Sequence, residues 1–404
     1  MKKTKIVLAF SGGLDTSFCI VHLREKYNAE VVTVTVDTGG FARKELAEIA
    51  RQSKKLGAAR HYAVDGKKQV FESFVSYLIK GNILRGGVYP LSVGAERVVQ
   101  AAEVARIAVK EKADAIAHGS TGAGNDQVRF DLAFSVMIPG IKIIAPIRDL
   151  NISREDEISY LNEKGFPINK VHKEYSVNSG LWGTTIGGGC LHDSWQSPPD
   201  EVFSITPVEK SPNTPGILEI GFEKGIPVKI NSRQMGGVDL VTALNHLGSR
   251  HGIGKGIHLG DTILGIKGRI GFESPAPIIL VKAHQELEKL VLTRWQVFWK
   301  DHLSNFWGDV LHSGLYFDPV AKDIMAMIDS SQETVTGTVR VKLFKGNVTV
   351  VGCKSPYSMM DRSIATYGEG NLLWDGRDAR GFCKIYGLQS VIARKAREKG
   401  DRSK

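Results

Sequence analysis

Short apolar and β-branched runs alternate with stretches of helical periodicity through the first third of the chain. Ile6 to Phe10 is followed by helical spacing from about Leu14, and "AEVVTVTVD" at 29–37 by "RKELAEIARQSKKLG". "ARHYAVD" comes next, and "AERVVQAAEVARIAVKEK" leads into "ADAIAHGS". Strands and helices taking turns at this pitch predict an α/β architecture, a parallel sheet with helices on both faces. Ligands of such sheets sit at the carboxyl ends of the strands. The predicted strands run into the polar loops "SGGLDTS", "DTGG" and "HGSTGAGND", so three loops are expected to meet above one edge.

After "IIAPIRDLNISREDEISYLNEKGFPI" the pattern gives way to glycine- and proline-rich loops, strand-like runs such as "GILEIGF" and "PVKI", and a few long helices. This shift near 165–170 predicts a domain boundary. "ELEKLVLTRWQVFWKDHLSNFW" reads as one helix that sets Trp295, Phe298, Trp299, His302 and Phe306 at helical spacing, a stripe for packing or subunit contact. "TGTVRVKLFKGNVTVVGCKS" alternates and is expected to turn at Gly346-Asn347.

The length of 404 residues and the 42% hydrophobic content suit a globular chain of two to three domains. Lysines precede the Ile6–Phe10 run, but that run is too short for the core of a secretory signal. No stretch nears the roughly 18 apolar residues of a membrane span, so a cytoplasmic protein with no membrane partner is expected. Cys19, Cys190, Cys353 and Cys383 form no CxxC pair, so free thiols are expected rather than disulfides or a metal site. The net charge of +10 suits nucleic acid or small anionic substrates alike.

"SGGLDTS" follows a strand directly and opens a helix. Free N–H groups and the positive end of the helix dipole would lie there for an anion. Ser11, Thr16 and Ser17 add hydroxyl donors, and Gly12 and Gly13 admit a ligand close to the backbone. The alternative is a tight, capped strand-to-helix turn. There is no GxxxxGK[ST] and no GxGxxG in the first unit. A loop without the P-loop lysine suits pyrophosphate departure and AMP transfer.

"AFSGGLDTS" resembles the pyrophosphate loop of the N-type ATP pyrophosphatases, and "HGSTGAGNDQVRFDL" at 118–132 is similar to the argininosuccinate synthase family. "YSVNSGLWGTT" at 175–185, "NTPGILEIGFEKGIPVKIN" at 213–231 and "LNHLGSRHGIGKG" at 244–256 continue the resemblance in family order. It implies a nucleotide-binding domain over 1–167, an α+β synthetase and multimerisation domain over 168–365, and a C-terminal oligomerisation segment with a basic tail over 366–404. It also implies a homotetramer acting in arginine biosynthesis, with ATP as a substrate carried with Mg2+ and no prosthetic group or protein metal site. Citrulline would be adenylated, and aspartate would displace AMP to give argininosuccinate.

Carried over by position, Ala9, Phe10, Ser11, Gly12, Gly13, Leu14, Asp15, Thr16, Ser17, Val36 and Gly119 would bind ATP. Thr121, Asn125 and Asp126 would bind aspartate, and Tyr89, Asn125, Arg129, Ser176 and Thr185 citrulline, with Asp15 and Asp126 as the catalytic residues. The departures fall mainly on the citrulline side. Gly94 stands where the resemblance expects a serine, Gly260 where it expects a glutamate and Phe272 where it expects a tyrosine; Ala123 replaces a lysine. Ser92 and Asp261 are then expected to take over, and a related ureido substrate is an alternative. For "NDQVR" a helix cap with an Asp126–Arg129 ion pair is an alternative to substrate contact. His118 reads as a structural histidine, and "GGGC" at 187–190 as a lid or a turn. Two other classes stay open: a pyrophosphate-loop enzyme that adenylates tRNA, and a non-catalytic nucleotide-binding assembly protein.

Overall fold

The structure is a computed structural model that describes residues 3–167, 174–370 and 373–403. It divides into two compact units, Met1–Tyr357 and Ser358–Lys404. The first begins with the alternation expected from the sequence: β1 (Thr4–Ala9), α1 (Leu14–Lys26), β2 (Ala29–Asp37), α2 (Arg43–Lys55) and β3 (Arg60–Asp65). Then come α3 (Lys67–Val70), a π turn over Phe71–Val75, α4 (Ser76–Lys80), α5 (Ser92–Glu111), β4 (Ala115–Ala117), α6 (Asn125–Met137), β5 (Lys142–Ile144), α7 (Pro146–Leu150) and α8 (Arg154–Glu163).

The five strands are parallel and ordered β3-β2-β1-β4-β5. Both faces of the sheet are covered. Ile6, Leu8 and Val31 face Phe18, Ile20, Leu23 and Ile49. Val7, Val32 and Val34 pack with Val98, Val104 and Ala105 of α5. Successive residues of a strand point to opposite faces, which is why an unbroken run such as Ile6-Val7-Leu8 suits a strand buried on both sides.

Two antiparallel sheets follow. One holds β6 (Tyr175–Gly180), β7 (Gly183–Gly188), β11 (Lys255–Asp261) and β12 (Lys267–Glu273), ordered β11-β12-β7-β6. The other holds β8 (Gly216–Glu223), β9 (Ile226–Ile230), β10 (Arg233–Gln234), β13 (Gly337–Phe344) and β14 (Asn347–Lys354), ordered β10-β9-β8-β13-β14. Helices α9 (Gly237–Arg250), α10 (Pro275–Val291), α11 (Arg294–His312) and α12 (Pro319–Ser331) complete this region. The hairpin predicted at Gly346-Asn347 turns one residue earlier, at Lys345-Gly346, whose φ values are 43° and 81°. Two positive φ values suit the two-residue turn that joins twisted strands.

The stretch read as a single helix over 286–307 is two. It breaks after Val291, and Thr293 caps α11 by accepting from the Gln296 N–H while the Gln296 side chain accepts from Thr293. That reciprocal cap starts a new helix without glycine or proline. The aromatic stripe lies on α11, with Trp295, Phe298, Trp299 and Phe306 exposed.

An ionic cluster joins the end of α4 to α10, α11 and α12. Lys300 is 0% exposed and donates to Glu288 Oε2 at 2.7 Å and to the Lys80 carbonyl at 3.2 Å. Glu288 also accepts from Asn82 and, at 2.8 Å, from Gln332. His284 is bonded to Asn82 and Gln332, and burial lowers its pKa to about 4.

The first two sheets meet at the β6–β7 turn. The Leu181 N–H donates to the Thr38 carbonyl at 2.8 Å, and Trp182 Nε1 to the Pro90 carbonyl at 2.9 Å. A Cβ on Gly40 would collide with the Ser179 carbonyl, so "DTGG" needs its last glycine for close approach. Glu96 of α5 lies in this seam, 3% exposed, with Oε2 accepting from Thr38 Oγ1 at 3.1 Å and Oε1 without a partner. Burial pushes its carboxyl up to about 8, opposed by Arg97 and the Thr38 hydrogen bond and reinforced by Asp126 and Asp37.

In the second unit, Asp375 caps α13 (Gly376–Tyr386) by accepting from the Arg377 and Asp378 N–H groups. The strongly basic α14 (Leu388–Asp401) follows.

Two outcomes are expected. Lys300→Met leaves Glu288 buried without its cation and should cost about 3–5 kcal/mol in denaturant unfolding; a loss under about 1 kcal/mol would show the pair to be dispensable. Glu96 holds its proton to about pH 8 when folded but releases it near 4.5 when unfolded. Stability should therefore fall as pH rises between those values, by up to about 1.4 kcal/mol per unit. Glu96→Gln should flatten that slope, and parallel profiles for the two proteins would contradict the assignment.

Candidate functional site

The strand order reverses direction between β1 and β4, so the loops after these strands lie at the carboxyl edge of the sheet where such folds open a crevice. Ala9 ends β1 and Phe10 is buried, its N–H bonded to the Val34 carbonyl and its own carbonyl accepting from Thr35 Oγ1. Gly12 has φ +79°, and Gly13 is the N-cap of α1 with no side-chain cap. The N–H groups of Leu14, Asp15 and Thr16 thus open the helix uncapped, as an anion site requires.

The three hydroxyls divide. Ser11 is exposed, bonded to Thr16 Oγ1 at 3.3 Å and accepting from the Gly13 N–H. Ser17 is 0% exposed and turned inward, donating to the Gly13 carbonyl at 2.7 Å and accepting from Gln52 at 2.9 Å. Ser17 thus shapes the loop, while Ser11 lies at its surface. Beneath the loop Asp15 faces Glu157, which is 1% exposed; burial first, and Asp15 next, push the Glu157 carboxyl up to about 8.

Gly119 comes from the other side of the crevice. A Cβ there would stand 3.0 Å from Thr16 Cγ2 and 3.3 Å from the Thr16 nitrogen, so this loop lies against the start of α1. Thr121 is exposed. Asn125, the first residue of α6, is not a cap; its Oδ1 accepts from the Ile263 N–H at 2.8 Å and ties α6 to the β11–β12 turn. Val36 lies farther off on β2, 5% exposed and packed beside Gly66.

Asp126 sits between two guanidinium groups. Arg129 Nη1 donates to Oδ1 at 3.0 Å, and Arg97 Nε to Oδ2 at 2.8 Å. Burial alone would raise the Asp126 pKa, but Arg97 and Arg129 hold it below the usual range. The ion pair offered as the alternative for "NDQVR" is therefore present, and it shares its carboxylate with Arg97. Arg97 also reaches Asn178 of β6 at 3.1 Å.

Arg129 is 5% exposed and held by the end of α11. Its Nε and Nη2 donate to the His312 carbonyl at 3.0 and 2.9 Å, and Nη2 also meets His312 Nδ1 at 3.2 Å. A cation suits the negative end of a helix. Burial, then Arg129 and Arg85, lower the His312 pKa to about 3. Gly94 lies beside this pair, where a Cβ would be 3.9 Å from Arg129 Nη2.

Tyr89 and Thr185 meet at 3.1 Å through their hydroxyls. Tyr89 stacks on His258 at 5.5 Å and leans on Phe272 at 5.6 Å. A Cβ on Gly260 would lie 2.5 Å from His258 Nε2, so His258 fills the space a side chain at 260 would need. Ser176 is exposed on β6, two residues from Asn178. Of the expected substitutes, Ser92 is 0% exposed and bonds Ser274, and the Asp261 carboxylate pairs with Lys267 at 2.7 Å.

Three groups thus emerge: the α1 loop with Gly119, the Arg97–Asp126–Arg129 cluster, and the Tyr89–Thr185–Phe272–His258 wall. Sequence reasoning missed Arg97, His258 and His312. Arg97 is followed along α5 by an apolar face, but nothing local marks the partners of His258 or His312.

Comparison with known proteins fits this arrangement. Residues 5–167 match the family described as Arginosuccinate synthase N-terminal HUP domain, and residues 175–393 the Arginosuccinate synthase C-terminal domain. A Pyrococcus furiosus protein named Argininosuccinate synthase is 41% identical over 390 residues, covering 96% of this chain and 94% of that one. One of the same name from Methanocaldococcus jannaschii is 41% identical over 388 residues, covering 96% and 97%. Another from Dehalococcoides mccartyi is 40% identical over 406 residues, covering 99% of each. The chain belongs to the argininosuccinate synthase family.

Proposed function

We propose that the chain joins L-citrulline and L-aspartate at the expense of ATP, forming argininosuccinate, AMP and pyrophosphate in arginine biosynthesis. The observation that carries this reading is the close approach of Gly119 to the uncapped first turn of α1. It brings an uncapped helix start, which would bind phosphate, beside a loop whose next residues lead to a doubly paired carboxylate, Asp126.

The N–H groups of Leu14, Asp15 and Thr16, with Ser11, would receive the phosphates, and Val36 and Phe10 would border the base. The citrulline ureido oxygen would attack the α-phosphorus as pyrophosphate leaves, and the aspartate amine would then attack the ureido carbon as AMP leaves. Adenylation converts a poor leaving oxygen into a good one, and the protein's task is to align three anionic molecules. The loop's own carboxylate, Asp15, faces Glu157, so magnesium carried with ATP would be held by substrate oxygens. Magnesium would offset the charge of the departing pyrophosphate.

Thr121, Asn125 and Asp126 would meet aspartate, and Tyr89, Thr185, Ser176, Asn125 and Arg129 citrulline. A division at 1–167, 168–365 and 366–404, a cytoplasmic location and a homotetramer belong to the same reading. The exposed Trp295, Phe298, Trp299 and Phe306 of α11 support association.

Pyrophosphate release from ATP should require citrulline, and argininosuccinate should form when aspartate is added; release driven by tRNA without response to citrulline would overturn the reading. Since Asp126 also grips Arg129, alanine would disturb both sides. Asp126→Asn, which keeps an acceptor, should raise KM for aspartate about 10–100-fold and change citrulline-dependent pyrophosphate release far less. Equal losses in both measurements would remove Asp126 from the aspartate site.

A further inference from the structure

The loop that carries Gly119, Thr121 and Asn125 is closed on itself by side chains to which the functional reading assigns no task. The Ser120 N–H donates to His118 Nδ1 at 3.2 Å. Because that nitrogen is an acceptor, the ring proton sits on Nε2, which donates to Asp131 Oδ1 at 2.8 Å. Arg148 of α7 donates through Nη1 to Asp131 Oδ2 at 2.6 Å and to Gln127 Oε1 at 3.2 Å. Gln127 Nε2 then donates to the Gly122 carbonyl at 2.8 Å, two residues from where the circuit began. His118 is 1% exposed and stacks on Phe130 at 5.5 Å and 17°.

Gly119 is anchored separately. Its backbone lies against Asp15 and Thr16, where even a Cβ would stand 3.0 Å from Thr16 Cγ2. One end of the loop is therefore fixed by packing on α1, and the stretch from Ser120 to Gly122 by the circuit. We propose that His118 is a positioning residue for the amino-dicarboxylate substrate: the lone pair of Nδ1 holds the turn so that Thr121 and Asp126 face that substrate together. The nucleotide edge of the same loop does not depend on it. This inference rests on the proposed function for the identity of the substrate.

His118→Phe keeps a ring on Phe130 but has no acceptor for Ser120. It should raise KM for aspartate by roughly tenfold while KM for ATP moves by less than about twofold. Arg148→Met opens the circuit from the other side, at a side chain that is 25% exposed, and should give the same selective rise if the phenylalanine variant does not fold. Equal changes in both constants, or a lower melting temperature with both unchanged, would reduce His118 to a purely structural role and overturn the proposal. The ring nitrogens of 15N-histidine-labelled wild-type protein provide a readout that needs no substrate. The His118 signal should be that of the Nε2–H tautomer, and the Nδ1–H tautomer would overturn the circuit. A wild-type chain that ignores aspartate would instead refute the proposed function, leaving the tautomer measurement to decide the circuit by itself.

Discussion

The contact on which the site depends is the backbone of Gly119 pressed against the first turn of α1. A parallel sheet ordered β3-β2-β1-β4-β5 sends its chain in opposite directions from β1 and β4. The loops after these two strands then face each other without a crossover to fill the gap. One loop leaves three helix N–H groups uncapped, and the other supplies a residue without a side chain at the closest point. Either loop alone would be an ordinary turn.

Charge is organised around this contact in pairs rather than as a diffuse positive field. Asp126 is shared by Arg97 and Arg129, and Arg129 is bound a second time by the carbonyl at the end of α11. Buried charges persist only when paired and hydrogen-bonded, and here the groups come from three helices, with Asp126 and Arg129 on α6, Arg97 on α5 and His312 on α11. The arrangement makes α5, α6 and α11 interdependent. A substrate that displaces one arginine from Asp126 must offer it an equally good acceptor.

Much of this was legible in the chain. β1 and β2 read as strands because their apolar runs serve two buried faces, and the two loops are contiguous motifs whose glycines and hydroxyls mark them. The break in the aromatic helix was visible only as a threonine three residues before a glutamine, a signal that the continuous apolar spacing on both sides conceals. Ser17 has the right chemistry for phosphate, but its hydroxyl is claimed by Gly13 and by Gln52, 35 positions away. The grip of His312 on Arg129 spans 183 positions and depends on a helix ending where it does, which no local pattern encodes. His258 could be understood only with Gly260, since one fills the room the other leaves.

The seam at the β6–β7 turn bears on how the chain could be divided. Thr38 gives its carbonyl to Leu181, Pro90 gives its own to Trp182, and the Ser179 carbonyl fits where Gly40 has no side chain. A gene split between the parallel sheet and the strands that follow it would leave acceptors bare on one fragment and a tryptophan exposed on the other. The two halves would then be expected to recover native form only when produced together, each serving as the template for the other.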